Sequence, residues 1–408
     1  MARPGGVAER IGRAHLISAQ ETAAQRLVVS VYRALLERDP LPEEASRHKR
    51  ALGAGLPWMD LLGELRESEE FDGIPSSKSQ DIFEEISRLR PLLVAGDADV
   101  TIPLQACEKF VTGLRLRGPV RDITVFWHLV HDRGIWQNEL TEAIMALLRP
   151  GDVFLDVGAN FGYFTVLAAS RSGSRHPGSR PPAAIAFEPL ETHAGYCRLN
   201  VRLNGLNNAQ VVPYALWNEE TTMQIQEDGG LADQMGGAHL VSTRSESQGE
   251  GKQQLVKCVT LDGLVESGEV AIPKCRLVKI DIEGAEPLAL AGMTKTLERT
   301  RPLMLVEFNK YCLERMGQSV ASLWDGLQGL GYSMYALPAQ HQVSFAESVI
   351  ASPDAAQNRL GTPGVRLLRL NTLEKAAELT EVLDNARPPS DPIDLLAVPA
   401  GLGLSSGL

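Results

Sequence analysis

Apolar residues recur with a helical period near the start of the chain. They fall at Leu27, Val28, Val31 and Leu35, one stripe of a helix, which Asp39-Pro40 and Pro42 bring to an end. The same texture predicts a second helix over about 42–52, broken by Gly53 and Gly55, and a third over about 57–71. Asp72-Gly73, Pro75 and Ser76-Ser77 then read as a linker. Residues 1–20 carry no such pattern and are expected to be disordered. A small all-helical module over 21–75 is therefore expected, followed by a connecting, mostly helical region over 76–138. The stretch ELTEAIMALLRPGD continues as a helix from Glu139 and stops at Pro150-Gly151.

Beyond residue 150 the period changes. Short β-branched runs appear: VFLDVG (153–158), AAIAFEP (183–189), AQVVPYAL (209–216), LVKIDIEG (277–284) and PLMLVEFN (302–309). Between them lie TVLAASR, HAGYCRLNVRLNG and PLALAGMTKTLERT, each with helical spacing. Strands alternating with helices predict βαβ units and a doubly wound, mostly parallel sheet. Ligands of such sheets bind outside the carboxyl ends of the strands. Two segments interrupt the alternation. Residues 171–182 read as a Gly/Pro/Ser-rich surface loop, and 227–254 as a long polar loop that is either a lid or simply mobile.

Composition narrows the field. The net charge of -11 argues against a nucleic-acid backbone as partner. Cys107, Cys197, Cys258, Cys275 and Cys312 are scattered, with no C-x-x-C pair, which points away from structural zinc and a disulfide framework and suits a reducing cytoplasm. The sequence offers no secretory h-region and no apolar run long enough to span a bilayer, so a cytoplasmic protein is expected.

The candidate chemistry begins at LDVGANFGYFT. A strand runs into Asp156, Gly158 follows, and Gly162 opens a helix whose first N–H groups are free donors. The glycines are spaced G-x-x-x-G, so the dinucleotide fingerprint is missing, as is a P-loop lysine. Alone, this turn supports only a nucleotide-like ligand. At the end of the next strand stands Glu188, placed to reach the ribose hydroxyls of an adenosine. Asn218 follows the third strand. The fourth carries Lys279, Asp281, Glu283 and Glu286, and the fifth ends at Glu307 and Asn309. Lys279 shares strand parity with Asp281 but is expected to point away from the site, and its role is open.

These motifs, with VTLDGL (259–264) and the closing strand LLAVPA (395–400), resemble the FkbM-type family of S-adenosylmethionine-dependent methyltransferases. The resemblance implies a Rossmann-like class I methyltransferase domain over 139–402 with S-adenosyl-L-methionine as cofactor. It implies O-methylation of a hydroxyl on a sugar, polysaccharide, glycolipid or related natural product. Carried over residue by residue, Asp156, Gly158, Asn160 and Gly162 line the methionine and ribose end, and Glu188 binds the ribose diol. Glu139 closes over the cofactor, and Asn218 belongs to the same set. The sulfonium and ammonium cations suit the recurring carboxylates. Asp281 and Glu283 are the catalytic candidates, one of them a general base for the hydroxyl or an anchor for the acceptor. The N-terminal module resembles a phycobilisome-linker-like domain, expected to position the enzyme or bind a protein partner.

Blander readings stand beside these. Asp281 and Glu283 could be salt-bridge or capping residues, and Glu286-Pro287 a helix start. His128 and His131 read as packing or surface residues, and His193 and His239 as solvated loop residues near the active face. Trp217 either stacks on a ligand or caps the core. A nicotinamide-dependent oxidoreductase and a non-catalytic adaptor with a nucleotide-binding fold are the alternative functions.

Overall fold

The computed structural model describes residues 40–53, 99–104, 112–119, 134–173, 182–226, 239–241, 253–336, 358–359, 366–370 and 392–400, with single positions 28, 32, 125, 129, 379, 380, 383 and 402. They belong to two compact units. Residues 28, 32 and 40–53 lie in the first; residues 134–226 and those from 239 onward lie in the second.

In the first unit, helix α1 (Pro42–Gly53) matches the predicted second helix. Proline and two glutamates in its first turn explain its start. The Leu41 N–H donates to Glu44 Oε2 at 2.7 Å. Buried Tyr32 and His48 share a hydrogen bond of 3.0 Å. The third helix of the expected module, the linker after it, and His128 and His131 lie outside the described residues.

Strands β1 (Asp99–Pro103) and β2 (Arg115–Pro119) form a two-stranded sheet. They place two short strands within the region expected to be mostly helical, where Val125 and Leu129 are helical. Arg115-Leu116-Arg117 alternates out and in, as a strand does.

The second unit then runs α2 (Asn138–Leu147), β3 (Phe154–Val157), α3 (Tyr163–Ser172), β4 (Ala184–Phe187), α4 (Glu191–Leu203) and β5 (Ala209–Val212). Next come β6 (Ala215–Leu216), β7 (Thr221–Gln226), β8 (His239–Val241), β9 (Gln253–Val259) and α5 (Leu261–Glu266). After them lie β10 (Leu277–Ile280), α6 (Glu286–Gly292), α7 (Thr294–Thr300), β11 (Leu303–Phe308), α8 (Lys310–Arg315), α9 (Val320–Gly329) and β12 (Tyr332–Ala336). The described strands close with β13 (Asn358–Arg359), β14 (Arg366–Leu370) and β15 (Ile393–Pro399).

The main sheet has the order β13-β14-β12-β15-β11-β10-β3-β4-β5. Strands β11, β10, β3, β4 and β5 are parallel, and β15 runs antiparallel between β11 and β12. All four residues of β3, β4 and β10 are buried, as a sheet covered on both faces requires. From β3 the chain proceeds to β4 on one side, while β10 lies on the other. The crevice outside these carboxyl ends is the topological switch point.

The two faces differ. Leu155, Val157, Val278, Ile280, Met304, Val306, Leu395 and Ala397 pack into one apolar core with Trp324 and Leu327 of α9. Strand alternation sends Asp156, Lys279, Glu307 and Asp394 to the opposite face. Asn200 and Asn204 of α4 exchange hydrogen bonds with the backbone of Arg117 and Arg115, so their amides act as a neighbouring strand for β2.

Three local readings change. The expected strand over 209–216 breaks at Pro213, which has no N–H for a ladder, and β6 enters a second sheet of order β6-β9-β7-β8. That sheet takes up part of the expected 227–254 loop, since β8 and the first residues of β9 fall within it; Ile225, Val256 and Cys258 pack inward onto Leu190, Trp217 and Ala285. The single helix expected over PLALAGMTKTLERT divides at Met293 into α6 and α7. At the end of α6 a Cβ on Gly292 would lie 1.8 Å from the Trp217 carbonyl oxygen, so the two segments meet backbone to backbone. Among the described residues no helix is long and apolar enough to cross a membrane.

Trp324 is fully buried in this core. Trp324→Ala is expected to cost about 3–5 kcal/mol of stability, read from the midpoint of urea unfolding. A cost near zero would show that α9 does not anchor the sheet.

Candidate active site

The loop after β3 is shaped by close approach. Gly158 has φ 84° and a Cβ there would lie 1.9 Å from the carbonyl oxygen of Asp281. The turns following β3 and β10 thus touch at the switch point, which only glycine permits. Gly162, the N-cap of α3, has φ 83°, and a Cβ on it would meet Cys197 Sγ at 2.5 Å. Gly162 therefore seats α3 on α4, with the first N–H groups of α3 at the crevice end.

Glu188 ties two loops together. Its Oε2 accepts the N–H of Asn160 at 2.8 Å, and its Oε1 accepts the N–H of Leu190 at 3.0 Å. Asn160 itself stands in the left-handed region at φ 51°. A carboxylate offers about four acceptor positions, so these two bonds do not exhaust it. His193 is buried on α4, with Nδ1 3.7 Å from Glu188 Oε1. That corrects the solvated-loop reading. The side chain of His239 lies outside what is described.

The polar face of the sheet carries a small lattice of charge. Asp156 stands beside Lys279 in the β3–β10 register, and Glu307 stands opposite Asp394 in the β11–β15 register. Asp281 continues β10 alongside Glu307, one step past the Ile280–Val306 pair. Lys279 Nζ lies 3.0 Å from Asp281 Oδ2 and 5.2 Å from the centroid of Phe164. The expectation that Lys279 points away is overturned: residues two apart on a strand share a face, and Lys279 follows Asp281 into the site. Burial opposes its charge, but Asp281 and Asp156 outweigh burial and hold the ammonium above the ordinary lysine range.

One ammonium does not balance the acids around it. Asp156 is fully buried; Thr165 donates to its Oδ2 at 2.5 Å, and its Oδ1 has no hydrogen-bond partner among the described residues. Burial raises its pKa to about 6, against the opposing pull of Lys279. Asp394 is pushed up to about 7 by burial and then by Asp281, with Glu139 adding to the effect. Glu307 is held well above the ordinary carboxylate range by burial and by Asp281. Among the described residues no group of His, Cys, Asp and Glu is arranged to hold a metal ion.

The remaining acids divide by task. Glu286 is buried, and its Oε1 accepts the N–H groups of Ile282 at 2.9 Å and Gly284 at 3.2 Å. It clamps the turn after β10, and burial raises it to about 7 despite those bonds. Glu283 has φ 56° and accepts from Cys312 Sγ at 2.9 Å, with Arg315 at 3.9 Å. Glu139 sits in the first turn of α2, where its charge bears on Asp394. Asn218 is exposed after β6, and Trp217 is buried in the core beside the small sheet. The structure thus gathers Asp156, Gly158, Asn160, Glu188 and Asp281 around one crevice. Asp394 and Thr165 were not anticipated. The signal for Asp394 was present, since an acid between Ile393 and Leu395 marks the polar face of a strand beginning two residues earlier than expected.

The order β5-β4-β3-β10-β11-β15-β12, with the last strand reversed and inserted, is that of the class I methyltransferases. Residues 156–334 match the methyltransferase FkbM domain, and the crevice lies within that stretch. The hexuronic acid methyltransferase AglP of Haloferax volcanii is 28% identical over 220 residues, covering 53% of this chain and 79% of the relative. Among solved structures, methyltransferase FkbM from Methylobacillus flagellatus is 12% identical with a TM-score of 0.31, covering 56% of this chain and 50% of that one. Precorrin-6y C5,15-methyltransferase from Geobacter metallireducens is also 12% identical with a TM-score of 0.31, covering 65% and 90%. At such scores the fold assignment rests on the strand order itself.

Gly158→Ala is expected to cost about 1–3 kcal/mol through its positive φ alone, and more through the clash with Asp281; thermal unfolding reads the loss. A second expectation concerns pH. Asp156, Glu286 and Asp394 have folded values raised from 3.8, 4.5 and 3.8 to about 6, 7 and 7. Their neutral forms suit the fold, so their contribution is full below about pH 4 and is lost as pH rises through about 6–7. Asp394→Asn should flatten the decline of Tm across that window and raise Tm above it. An unchanged slope would show that Asp394 does not hold a proton there.

Proposed function

We propose that the chain transfers the methyl group of S-adenosylmethionine to a hydroxyl of a sugar or sugar-bearing acceptor. The observation that carries this reading is the surplus of carboxyl groups over Lys279 at the switch point. A ligand with sulfonium and ammonium cations matches that surplus, whereas the diphosphate of a dinucleotide would be repelled by it. The orphaned Oδ1 of Asp156 and the buried, unpartnered Oδ1 of Asn160 offer acceptors for the same ligand. When bound, the cofactor supplies a methyl group on positively charged sulfur.

Asp156, Gly158, Asn160 and Gly162 are assigned to its methionine and ribose end, with the N–H groups at the start of α3 available to its carboxylate. Glu188 is assigned to the ribose diol, and Glu139 and Asn218 to the same cofactor set. Asp281 is the assigned base. Lys279 holds its Oδ2, which fixes the carboxylate and leaves Oδ1 to accept from a hydroxyl. Glu283, steadied by Cys312 and Arg315, is assigned to the acceptor. The Haloferax relative, named a hexuronic acid methyltransferase, supports a sugar acceptor. Buried free thiols at Cys197, Cys258, Cys275 and Cys312 support a reducing compartment such as the cytoplasm. The helical module over 21–75 is assigned to a protein partner or to positioning, the methyltransferase domain to 139–402.

Methyl-labelled S-adenosylmethionine, incubated with the chain and a panel of glycans, should yield a methyl ether on a sugar hydroxyl, located by mass spectrometry. Label on protein or nucleic acid alone would overturn the acceptor class. Asp281→Asn is expected to leave cofactor affinity nearly unchanged and lower kcat on the order of 10²–10⁴-fold. Glu188→Ala should instead weaken cofactor binding about 10- to 100-fold. Full turnover by the first variant would remove Asp281 from the role of base.

A further inference from the structure

Methyl transfer to an alcohol releases a proton, and Asp281 alone is a poor place to leave it, because Lys279 lies 3.0 Å from its carboxylate. The neighbouring strands offer a better one. Glu307 and Asp394 face each other directly in the antiparallel β11–β15 register. Residues so paired have Cβ atoms about 4.5–5.5 Å apart, and like charges there repel. Both side chains leave the sheet on the polar face, and Glu307 is buried. Asp281 adjoins Glu307 across the parallel β10–β11 register.

Among the described residues, the charged groups that bear on this pair come from several elements. Lys279 and Asp281 come from β10 and its end, Asp156 from β3, Glu139 from α2, and Glu283 and Glu286 from the turn before α6. The cations placed here among the described residues are Lys279 and Arg315, which lie against Asp281 and Glu283. Asp156 Oδ1, fully buried and unpartnered among the described residues, belongs to the same layer. Two carboxylates in such surroundings cannot both be ionised at little cost.

We propose that Glu307 and Asp394 form a carboxyl–carboxylate pair that holds one shared proton and receives, through Asp281, the proton lost by the acceptor hydroxyl. The proposal rests on the methyl-transfer reading above. As the acceptor oxygen forms its bond to the methyl carbon, the carbon–sulfur bond breaks and its electron pair stays on sulfur. The O–H proton passes to Asp281 and from there to the pair. The charge lost with the sulfonium is thereby replaced by a proton in the same layer, so the polar face keeps its net charge across the step. Both groups of the pair titrate above the ordinary carboxylate range, Asp394 near 7, with burial the first cause for each. Glu307 and Asp394 act through Asp281 and are positioning residues.

Two measurements test this. In infrared spectra of the free protein at about pH 8, above the values of Asp156 and Glu286, a protonated-carboxyl band is expected. It should disappear in Glu307→Gln/Asp394→Asn. In kinetics, each single variant should move the acidic limb of the kcat profile to lower pH, because the remaining carboxylate loses its like-charged neighbour. The double variant should lose kcat on the order of 100-fold with the acceptor KM little changed. Absence of the band in the wild-type protein overturns the pair whether or not the variants fold. A folded double variant with wild-type kcat and an unmoved acidic limb overturns its part in the reaction. The band present in a wild-type protein that transfers no methyl group would refute the methyl-transfer reading and with it the relay.

Discussion

The site depends on one buried ammonium. Lys279 stands between Asp156 and Asp281, and without it three adjacent strand ends could not carry acids inside the protein. Burying a charge costs several kcal/mol even after relaxation, and a single cation offsets only part of the cost of its neighbours. The remainder favours protonation, raising the pKa values of Asp156, Glu307 and Asp394, and is offset by the apolar face of the same sheet, where Trp324, Phe308 and Leu327 are fully buried. Binding of a cation can replace those protons. Stability is spent on the polar face and recovered on the other.

The acids of the site thus fall into two kinds with different chemistry. Glu188 and Glu286 are loop clamps: each takes two backbone N–H groups and fixes the turns after β3, β4 and β10. Asp281 and Glu283 follow β10, each held at one oxygen by a neighbouring side chain. Clamping matters because Gly158 and the Asp281 carbonyl leave no room between the two turns. A shift of either turn would misplace the reacting groups, and displacements of about 1 Å are enough to slow an enzyme markedly.

Much of this was legible in the sequence. The parallel strands announced themselves as short apolar runs, and the acids at their ends followed from the rule that ligands bind there. Asp156, Glu188 and Asp281 were found that way. The small sheet was not, because β6 and β8 are two and three residues long and its pairing joins segments far apart in the chain. Asp394 escaped because the start of β15 lay two residues before the visible apolar run. Lys279 was found but turned the wrong way, although strand parity already placed it beside Asp281. No residue pattern reveals that Glu307 faces Asp394, since register between distant strands is a property of the folded sheet.

Electrostatic matching between an acid-rich crevice and a cationic cofactor is the central claim, and calorimetric titration tests it most directly. S-adenosylmethionine and NAD would each be titrated into the chain from about pH 5 to about pH 8. A crevice whose carboxyls lose protons near 6 and 7 should bind S-adenosylmethionine more tightly as pH rises through that range, and should not bind NAD. S-adenosylmethionine binding that is equally tight at every pH, or NAD binding in its place, would contradict it.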